Sequence, residues 1–496
     1  MRKIQSALIS VSDKSNLKPL LQILNKNKVK LISSGGTFKT IKKLKFKCVK
    51  ISDFTGFKEI LDGRVKTLHP KIHAGILNKR NNKLHLKEIN NNNFENIDLV
   101  IVNFYQFEKT LKKTKNHNKI IENIDIGGPT MVRAAAGLCR NVRGETIPSD
   151  APGKFSMSLR EPLGVVAVIT PFNVPLIKTS RLVANALALG NTVVHLPSEM
   201  SPHLTILFAE IVAEAGFPPG SYNVVTGYGS EIGDELTGHR DVNFVTFTGS
   251  SVVGQHISEI CAKNKTPKTL ELGGKSPTVV LADVDLDKVI PLAARSIFMF
   301  AGQACIGSSR FYVERPIFDE FVKRFSMVAS KIGMGDLRDP DTVIAPIISP
   351  RQRNRIKSHI EDAVKKGATI VVGGEWEGNR CQPTLLTGVS EDMTVCKAET
   401  FGPVTSIYPI DSYEEGLEKS NDTEYGLSSA IFTKNIDTAF HFAKNISAGM
   451  CHINGPTIHD EAHVPFGGNG ESGFGREGTD ADMEAMTELK WVTVQL

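Results

Sequence analysis

Cys305 stands in Gly302-Gln303-Ala304-Cys305, directly after a helix-like apolar run from Val289 to Phe300. A thiolate so placed can attack a carbonyl carbon. Taken alone, a single cysteine reads more readily as an inert small hydrophobe. Glu271 lies inside the apolar stretch Leu270-Glu271-Leu272-Gly273-Gly274-Lys275-Ser276-Pro277. A carboxylate is seldom buried in such a strand without a task. Gly249-Ser250-Ser251-Val252-Val253-Gly254 follows a strand and opens a helix, which on its own is weak evidence of a dinucleotide site. Near the start, Ser33-Ser34-Gly35-Gly36-Thr37 sets a Gly-Gly turn between a strand and a helix. Free backbone N–H groups and the hydroxyls of Ser34 and Thr37 would suit a phosphate there, although a plain turn explains one such motif equally well. Asp62 to Pro70 gathers Arg64, Lys66, Thr67 and His69 in one loop, either a binding loop or a solvated charged one.

These residues need elements to hold them. Apolar runs at Ala7–Val11, Val29–Ile32 and 98–102 read as strands, with a helix over Phe38–Leu44. A second series follows: strands at 164–169, 192–196, 223–225 and 243–248, with helices at 179–189 and 204–215. Strands alternating with helices predict parallel, doubly wound sheets whose ligands sit at the strand C-termini.

The chain has 496 residues, 41% hydrophobic and 23% charged, enough for several domains and a large core. No run of apolar residues is long enough to span a membrane, and the N-terminus lacks an apolar secretory core. Seven cysteines are scattered without any CxxC, which predicts a cytoplasmic protein with no disulfide framework and no metal site. The net charge of +6 is uneven: residues 1–136 hold 27 Lys+Arg against 10 Asp+Glu, and residues 137–496 hold 32 against 43. The lysines are spread rather than set in one stripe, so nucleic acid is not the expected partner. Lys and Asn crowd the first part, as in DNA of a different base composition, which predicts separate histories for the two parts.

Residues 5 to 136 resemble the methylglyoxal-synthase-like domain of the bifunctional purine enzyme AICAR formyltransferase/IMP cyclohydrolase. The resemblance rests on the Gly-Gly turn, Asp62-Gly63-Arg64-Val65-Lys66-Thr67-Leu68-His69-Pro70, and Asp125-Ile126-Gly127-Gly128-Pro129 through Arg133-Ala134-Ala135-Ala136. It implies that Ser12, Lys14, Ser34, Gly36 and Thr37 hold the phosphate of a purine nucleotide. Arg64, Lys66, Thr67, Tyr105, Asp125, Gly127 and Gly128 would surround its base. The family's catalytic lysine is replaced by Gly137, and the rest of that enzyme is missing. Weak or no cyclohydrolase activity is therefore expected, and the cut sheet should expose an edge and an apolar face.

Residues 137–496 resemble the aldehyde dehydrogenase superfamily. The resemblance is carried by Pro171-Phe172-Asn173-Val174-Pro175, Phe247-Thr248-Gly249-Ser250, Glu271 to Pro277, Gly302 to Cys305, Glu399-Thr400-Phe401-Gly402-Pro403-Val404 and Pro465-Phe466-Gly467-Gly468. It implies NAD-dependent oxidation of an aldehyde through a thioester on Cys305, with Asn173 at the oxyanion and Glu271 activating water. Ile169, Thr170, Pro171, Phe172, Glu199, Gly229, Phe247, Gly249, Ser250, Gly254, Leu272, Glu399 and Phe401 would hold the cofactor. A carboxylate at Glu199 repels a 2′-phosphate, which favours NAD over NADP. Arg143 to Asp150 and His459-Asp460-Glu461 look most like the branch that acts on aromatic aldehydes. Leu196 stands where the family usually has a lysine, and Asn469-Gly470 replaces the frequent x-Lys.

The implied fold class is α/β: a methylglyoxal-synthase-like parallel sheet over 1–136, then an incomplete aldehyde dehydrogenase fold. Its Rossmann-like cofactor region would span 137–275, its catalytic domain 276–455, and its C-terminal return and oligomerisation strand 456–496. Complete relatives carry a further stretch before Gly137, so uncovered apolar surface is expected. No Pro/Gly/Ser linker marks the join, which suggests a chimera. Two functions stay open: a dehydrogenase, expected as a homo-oligomer in which the first domain is a passenger, or a purine-nucleotide module attached to an inactive remnant.

Overall fold

The computed structural model describes residues 4–11, 14, 17–33, 35–56, 70–77, 83–92, 94–103, 142–339 and 341–495. The chain divides into two compact units, Met1–Ile126 and Gly127–Leu496, a division upstream of the join read from sequence.

In the first unit, Val49–Lys50, Lys30–Ser33, Ser6–Val11 and Leu99–Asn103 lie side by side in that order, all parallel. Alternation sends Ala7, Ile9 and Val11 to one face, where they pack on Leu17, Leu21 and Leu24 of the Leu17–Lys26 helix. Leu8 and Ile32 on the other face meet Ile51, Phe54, Ile72 and Ile97. Both faces are therefore packed among the described residues, against the expectation of an uncovered one: short helices after the third strand supply the second layer. The Gly35–Lys43 helix starts at Gly35, so the glycine pair forms its first turn rather than a separate loop.

The second unit carries two large sheets. The first runs Gly473–Phe474, Lys268–Glu271, Phe244–Thr248, Val165–Thr170, Thr192–Pro197, Tyr222–Val224. All are parallel except Gly473–Phe474. From Val165–Thr170 the chain builds outward to Tyr222–Val224, then returns to lay Phe244–Thr248 on the opposite side. That reversal creates a switch point between the ends of Val165–Thr170 and Phe244–Thr248, where a parallel sheet opens a crevice. The Pro175–Ala188 helix begins with Pro at its first turn, one turn earlier than its apolar pattern alone suggests.

The other sheet runs Thr369–Val372, Thr384–Thr387, Val404–Ile410, Arg310–Glu314, Pro277–Val280, Ser428–Phe432, Met450–Ile453. Only Thr369–Val372 is antiparallel. Its largest core joins Phe311, Phe321, Phe325 and Phe298. Lys154–Pro162 pairs antiparallel with Thr487–Gln495 along its whole length and with Glu145–Thr146, closing a separate three-stranded sheet. The Pro202–Glu214 helix buries Thr205, Phe208 and Val212 but leaves Leu204, Leu207 and Ile211 exposed. No helix among the described residues is long and apolar enough to cross a membrane.

Candidate active site

A cleft of about 410 Å³ opens at the switch point. Its floor comes from the strand ends: Ile169, Thr170, Pro171, Phe172 and Asn173 after one strand, Phe247, Thr248, Gly249 and Ser250 after its neighbour. The register pairs Phe247 with Ile169, so the two turns leave the sheet side by side. Ser250 caps the Ser251–Asn264 helix without using its side chain, and no acidic residue occupies the first turn. The N–H groups of that turn therefore face the cleft rim as an anion-attracting end. Gly254 does not line the cleft. A Cβ there would lie 2.4 Å from Leu272 Cδ2, so this glycine lets helix and strand approach. Glu199 is an exposed carboxylate on the cleft rim, and Gly229 lines the same end.

The opposite wall is the seven-stranded sheet. Cys305 and Phe401 precede strands that pair Arg310 with Ser406, each five residues upstream of that pair. The register thus brings their loops to one edge. Gly302 has φ +68°, and a Cβ there would sit 2.1 Å from the Gly402 carbonyl oxygen. Only glycine allows the two loops this contact. Phe300, Ala301 and Phe401 also hold positive φ, strain concentrated around the thiol.

Cys305 lines the cleft. Burial pushes its thiol up to about 12; Lys178 draws it down while Glu271 and Glu399 add to the rise. At neutral pH the resting sulfur is a thiol. Asn173 Nδ2 donates to the Gln303 carbonyl at 2.8 Å, which spends one amide N–H on the cysteine loop and leaves the second for the cleft. Glu399 accepts from the Gly274 N–H at 2.9 Å; burial nonetheless raises its carboxyl above the ordinary range. Phe401 meets Phe172 edge to face at 6.0 Å. Beside the thiol, Ile306, Leu427, Ile458 and Phe466 form an apolar cluster that also touches Met299, Ala304 and Met450.

Glu271 departs from the expected position. It is buried, neither oxygen has a hydrogen-bond partner, and it does not line the cleft. A Cβ on Gly467 would lie 2.5 Å from its Oε1, so the carboxylate is turned toward that glycine. Burial pushes its pKa well above the ordinary range, with Lys178 opposing.

Several site residues escaped sequence reasoning. Lys178 lines the cleft and donates to Glu477 Oε2 at 2.6 Å, both side chains being buried. Burial opposes its charge, but Glu477 and Glu271 outweigh that and hold the ammonium above its usual pKa. Arg181, one turn further on, gives Nη2 to both oxygens of Asp460 at 2.8 and 2.7 Å. A lysine and an arginine three apart on an apolar helix were the available signal. Thr248, Gln352 and Arg355 also line the cleft. His195 does not line it; its ring is bonded to Thr170 and Tyr222, and burial lowers it to about 3.

In the first unit, Thr37 Oγ1 accepts from the Val11 N–H at 3.1 Å and donates to the Val11 carbonyl at 2.9 Å. Its proton is thus engaged in the fold. Gly36 has open space around it, and Lys14 is half-buried. Ser12, Ser34, Arg64, Lys66, Thr67, Tyr105, Asp125, Gly127 and Gly128 lie outside the described residues.

Residues 109–492 match the aldehyde dehydrogenase family, and residues 16–130 match the MGS-like domain. The chain belongs to the aldehyde dehydrogenase family. It is 42% identical over 368 residues to vanillin dehydrogenase of Pseudomonas fluorescens, which covers 74% of this chain and 76% of that one. It superposes on a salicylaldehyde dehydrogenase from Pseudomonas putida G7 complexed with salicylaldehyde, with TM-score 0.73 and 38% identity, covering 74% and 77% of the two chains. A betaine aldehyde dehydrogenase from Staphylococcus aureus in complex with NAD+ gives TM-score 0.73 at 36% identity, covering 76% of each chain. As an aldehyde dehydrogenase the chain is an oxidoreductase, and an MGS-like domain precedes its catalytic part.

Proposed function

We propose that this dehydrogenase oxidises an aromatic aldehyde to the carboxylic acid, with NAD as cofactor. The observation that carries the reading is the convergence of Cys305, Asn173, Glu399 and Phe401 on the cleft that also receives the Ser251–Asn264 helix N-terminus. The uncapped helix end suits a pyrophosphate, Glu199 a ribose diol, and Glu399 with Phe401 the nicotinamide ribose and ring. NAD, when bound, supplies the hydride acceptor. The relatives' named substrates, vanillin and salicylaldehyde, support an aromatic one. So does the apolar cluster of Ile306, Ile458 and Phe466 beside the thiol.

In this reading Cys305 Sγ passes its proton to solvent in the cleft and bonds to the aldehyde carbon as the carbonyl π pair moves onto oxygen. The free N–H of the Asn173 amide and the Cys305 backbone N–H stabilise the resulting oxyanion. As the oxyanion closes to a carbonyl its carbon gives up the C–H pair as hydride, which NAD would accept when bound, leaving a thioester on Cys305. Glu271 then takes a proton from water as that water attacks the thioester, releasing acid and thiol. For this its carboxylate turns from Gly467 toward the cleft. The raised pKa makes this carboxylate a stronger base toward water than an ordinary glutamate. The test is NADH formation by the full chain with NAD and benzaldehyde, beside Cys305→Ala. Activity in the wild type that is lost in the variant supports the reading. Activity that persists in the variant, or none in the wild type, ends it.

For the first unit we propose a purine-nucleotide phosphate site of the IMP cyclohydrolase type at the Gly35–Lys43 helix start, with Lys14 and Gly36. The helix end and open space at Gly36 support it. We also propose that residues 1–136 and 137–496 have separate origins, their join falling at Arg133-Ala134-Ala135-Ala136-Gly137, a stretch that suits both families' motifs. A thermal shift with IMP tests the former; amplification across codon 136 from source DNA tests the latter.

A further inference from the structure

The loop between the Met450–Ile453 strand and Phe466 carries Ile458 and Phe466 to the apolar cluster around Cys305. It contains no helix or regular strand. Its first half is tied at Thr457, whose N–H reaches Ser296 Oγ at 3.3 Å and whose carbonyl accepts from Ser428 Oγ at 3.1 Å. Its far end is tied at Phe466, which exchanges backbone hydrogen bonds with Glu477 at 2.8 Å. Between these points lies Asp460. Arg181 Nη2 donates to both its oxygens and to the Glu461 carbonyl at 3.0 Å. The arginine is 1% exposed, and its guanidinium carbon lies 5.5 Å from the Phe466 ring centre. One rigid side chain on the Pro175–Ala188 helix therefore grips the middle of the loop and packs on its end.

We infer that Arg181 and Asp460 form a positioning pair that sets the wall against which the aldehyde's ring packs. The inference rests on the aromatic reading of the substrate. A planar guanidinium holding a carboxylate and a carbonyl together fixes the loop's height above the helix. Ile458 is two residues from Asp460, so its side chain follows that height. A small aldehyde such as acetaldehyde does not reach this wall and is indifferent to it, whereas a ring loses its packing when the wall moves.

The experiment compares wild type with Asp460→Asn, Arg181→Lys and Arg181→Met in the full chain, using benzaldehyde and acetaldehyde, with Tm measured for each. We expect KM for benzaldehyde to rise about tenfold or more in Asp460→Asn and Arg181→Met, with kcat changed less. Acetaldehyde kcat/KM and the KM for NAD stay within about threefold, a split that general loosening of the fold would not give. Arg181→Lys, which keeps the charge, recovers part of the loss. Should Arg181→Met fail to fold, Asp460→Asn and Arg181→Lys decide the matter. Equal losses for both aldehydes overturn the inference and leave the aromatic reading standing. A wild type that oxidises acetaldehyde but not benzaldehyde overturns both.

Discussion

The resting state of Cys305 has a measurable consequence. Its ordinary thiol value is 9.0, and burial raises it to about 12. Three pKa units correspond to roughly 4 kcal/mol against ionisation. At pH 7.5 the thiolate fraction falls from about 3% for an ordinary thiol to about 3 in 100,000. Iodoacetamide reacts with the thiolate, so its rate at Cys305 tracks that fraction. Without NAD, the alkylation rate followed by mass spectrometry of the Cys305 peptide should climb about tenfold per pH unit from 6.5 to 9.5, with no plateau. The neighbours give the sign of two variants. Glu271 raises the thiol and Lys178 lowers it. Glu271→Gln should therefore speed alkylation and Lys178→Met should slow it, each severalfold. A plateau with a midpoint below pH 9, or a faster Lys178→Met, would refute burial as the controlling cause.

Lys178→Met should also destabilise the dehydrogenase unit by about 3 kcal/mol in urea unfolding at pH 7, because it strands the buried Glu477 carboxylate. Arg181 Nη1, 3.7 Å from Glu477, keeps the loss at the low end of that class, and a loss under about 1 kcal/mol would count against the pair. Asp482 is buried on Asn185 and Gly478, and burial followed by Glu477 raises it from 3.8 to about 7. Its folded value exceeds the unfolded one, so wild-type stability should fall as pH rises from about 4 to 7 and level off above. Asp482→Asn removes that slope, a difference of the order of 2–4 kcal/mol that unfolding at pH 4.5 and 7.5 reads directly. Gly302→Ala places a methyl against the Gly402 carbonyl and should cut kcat/KM for any aldehyde about a hundredfold or more. Wild-type kinetics in that variant would mean the loops yield freely.

Much of this was legible in the sequence because it depends on local pattern. The strands and helices of the switch-point sheet follow from apolar periodicity, and the turns at Pro171–Asn173 and Gly249–Ser250 from their residue types. Cys305, Asn173, Glu399 and Phe401, each singled out by its motif, line one cleft. What the sequence hid was long-range pairing. Lys178 and Glu477 are 299 positions apart, and nothing local in either announces a buried ion pair. Gly254 had the look of a phosphate-turn glycine, yet its neighbour across the fold is Leu272. The direction in which Glu271 points depends on Gly467, also remote in the chain. Thr37 likewise carries a hydroxyl whose partner, Val11, only the adjacency of two strands reveals.

The contact of Gly302 with Gly402 welds the nucleophile's loop to the loop that carries Phe401. The reacting end of the cleft therefore tolerates little independent adjustment of thiol and cofactor ring. The other end is built differently: Leu196 and Glu199 come from one strand end, in the sheet of the switch point, with no part in that weld. On the cofactor reading proposed above, substitutions there would alter which dinucleotide is accepted while the chemistry downstream stays untouched. Adaptation of this enzyme to a new cofactor supply, in nature or in the laboratory, would proceed from the rim and leave the centre as it is.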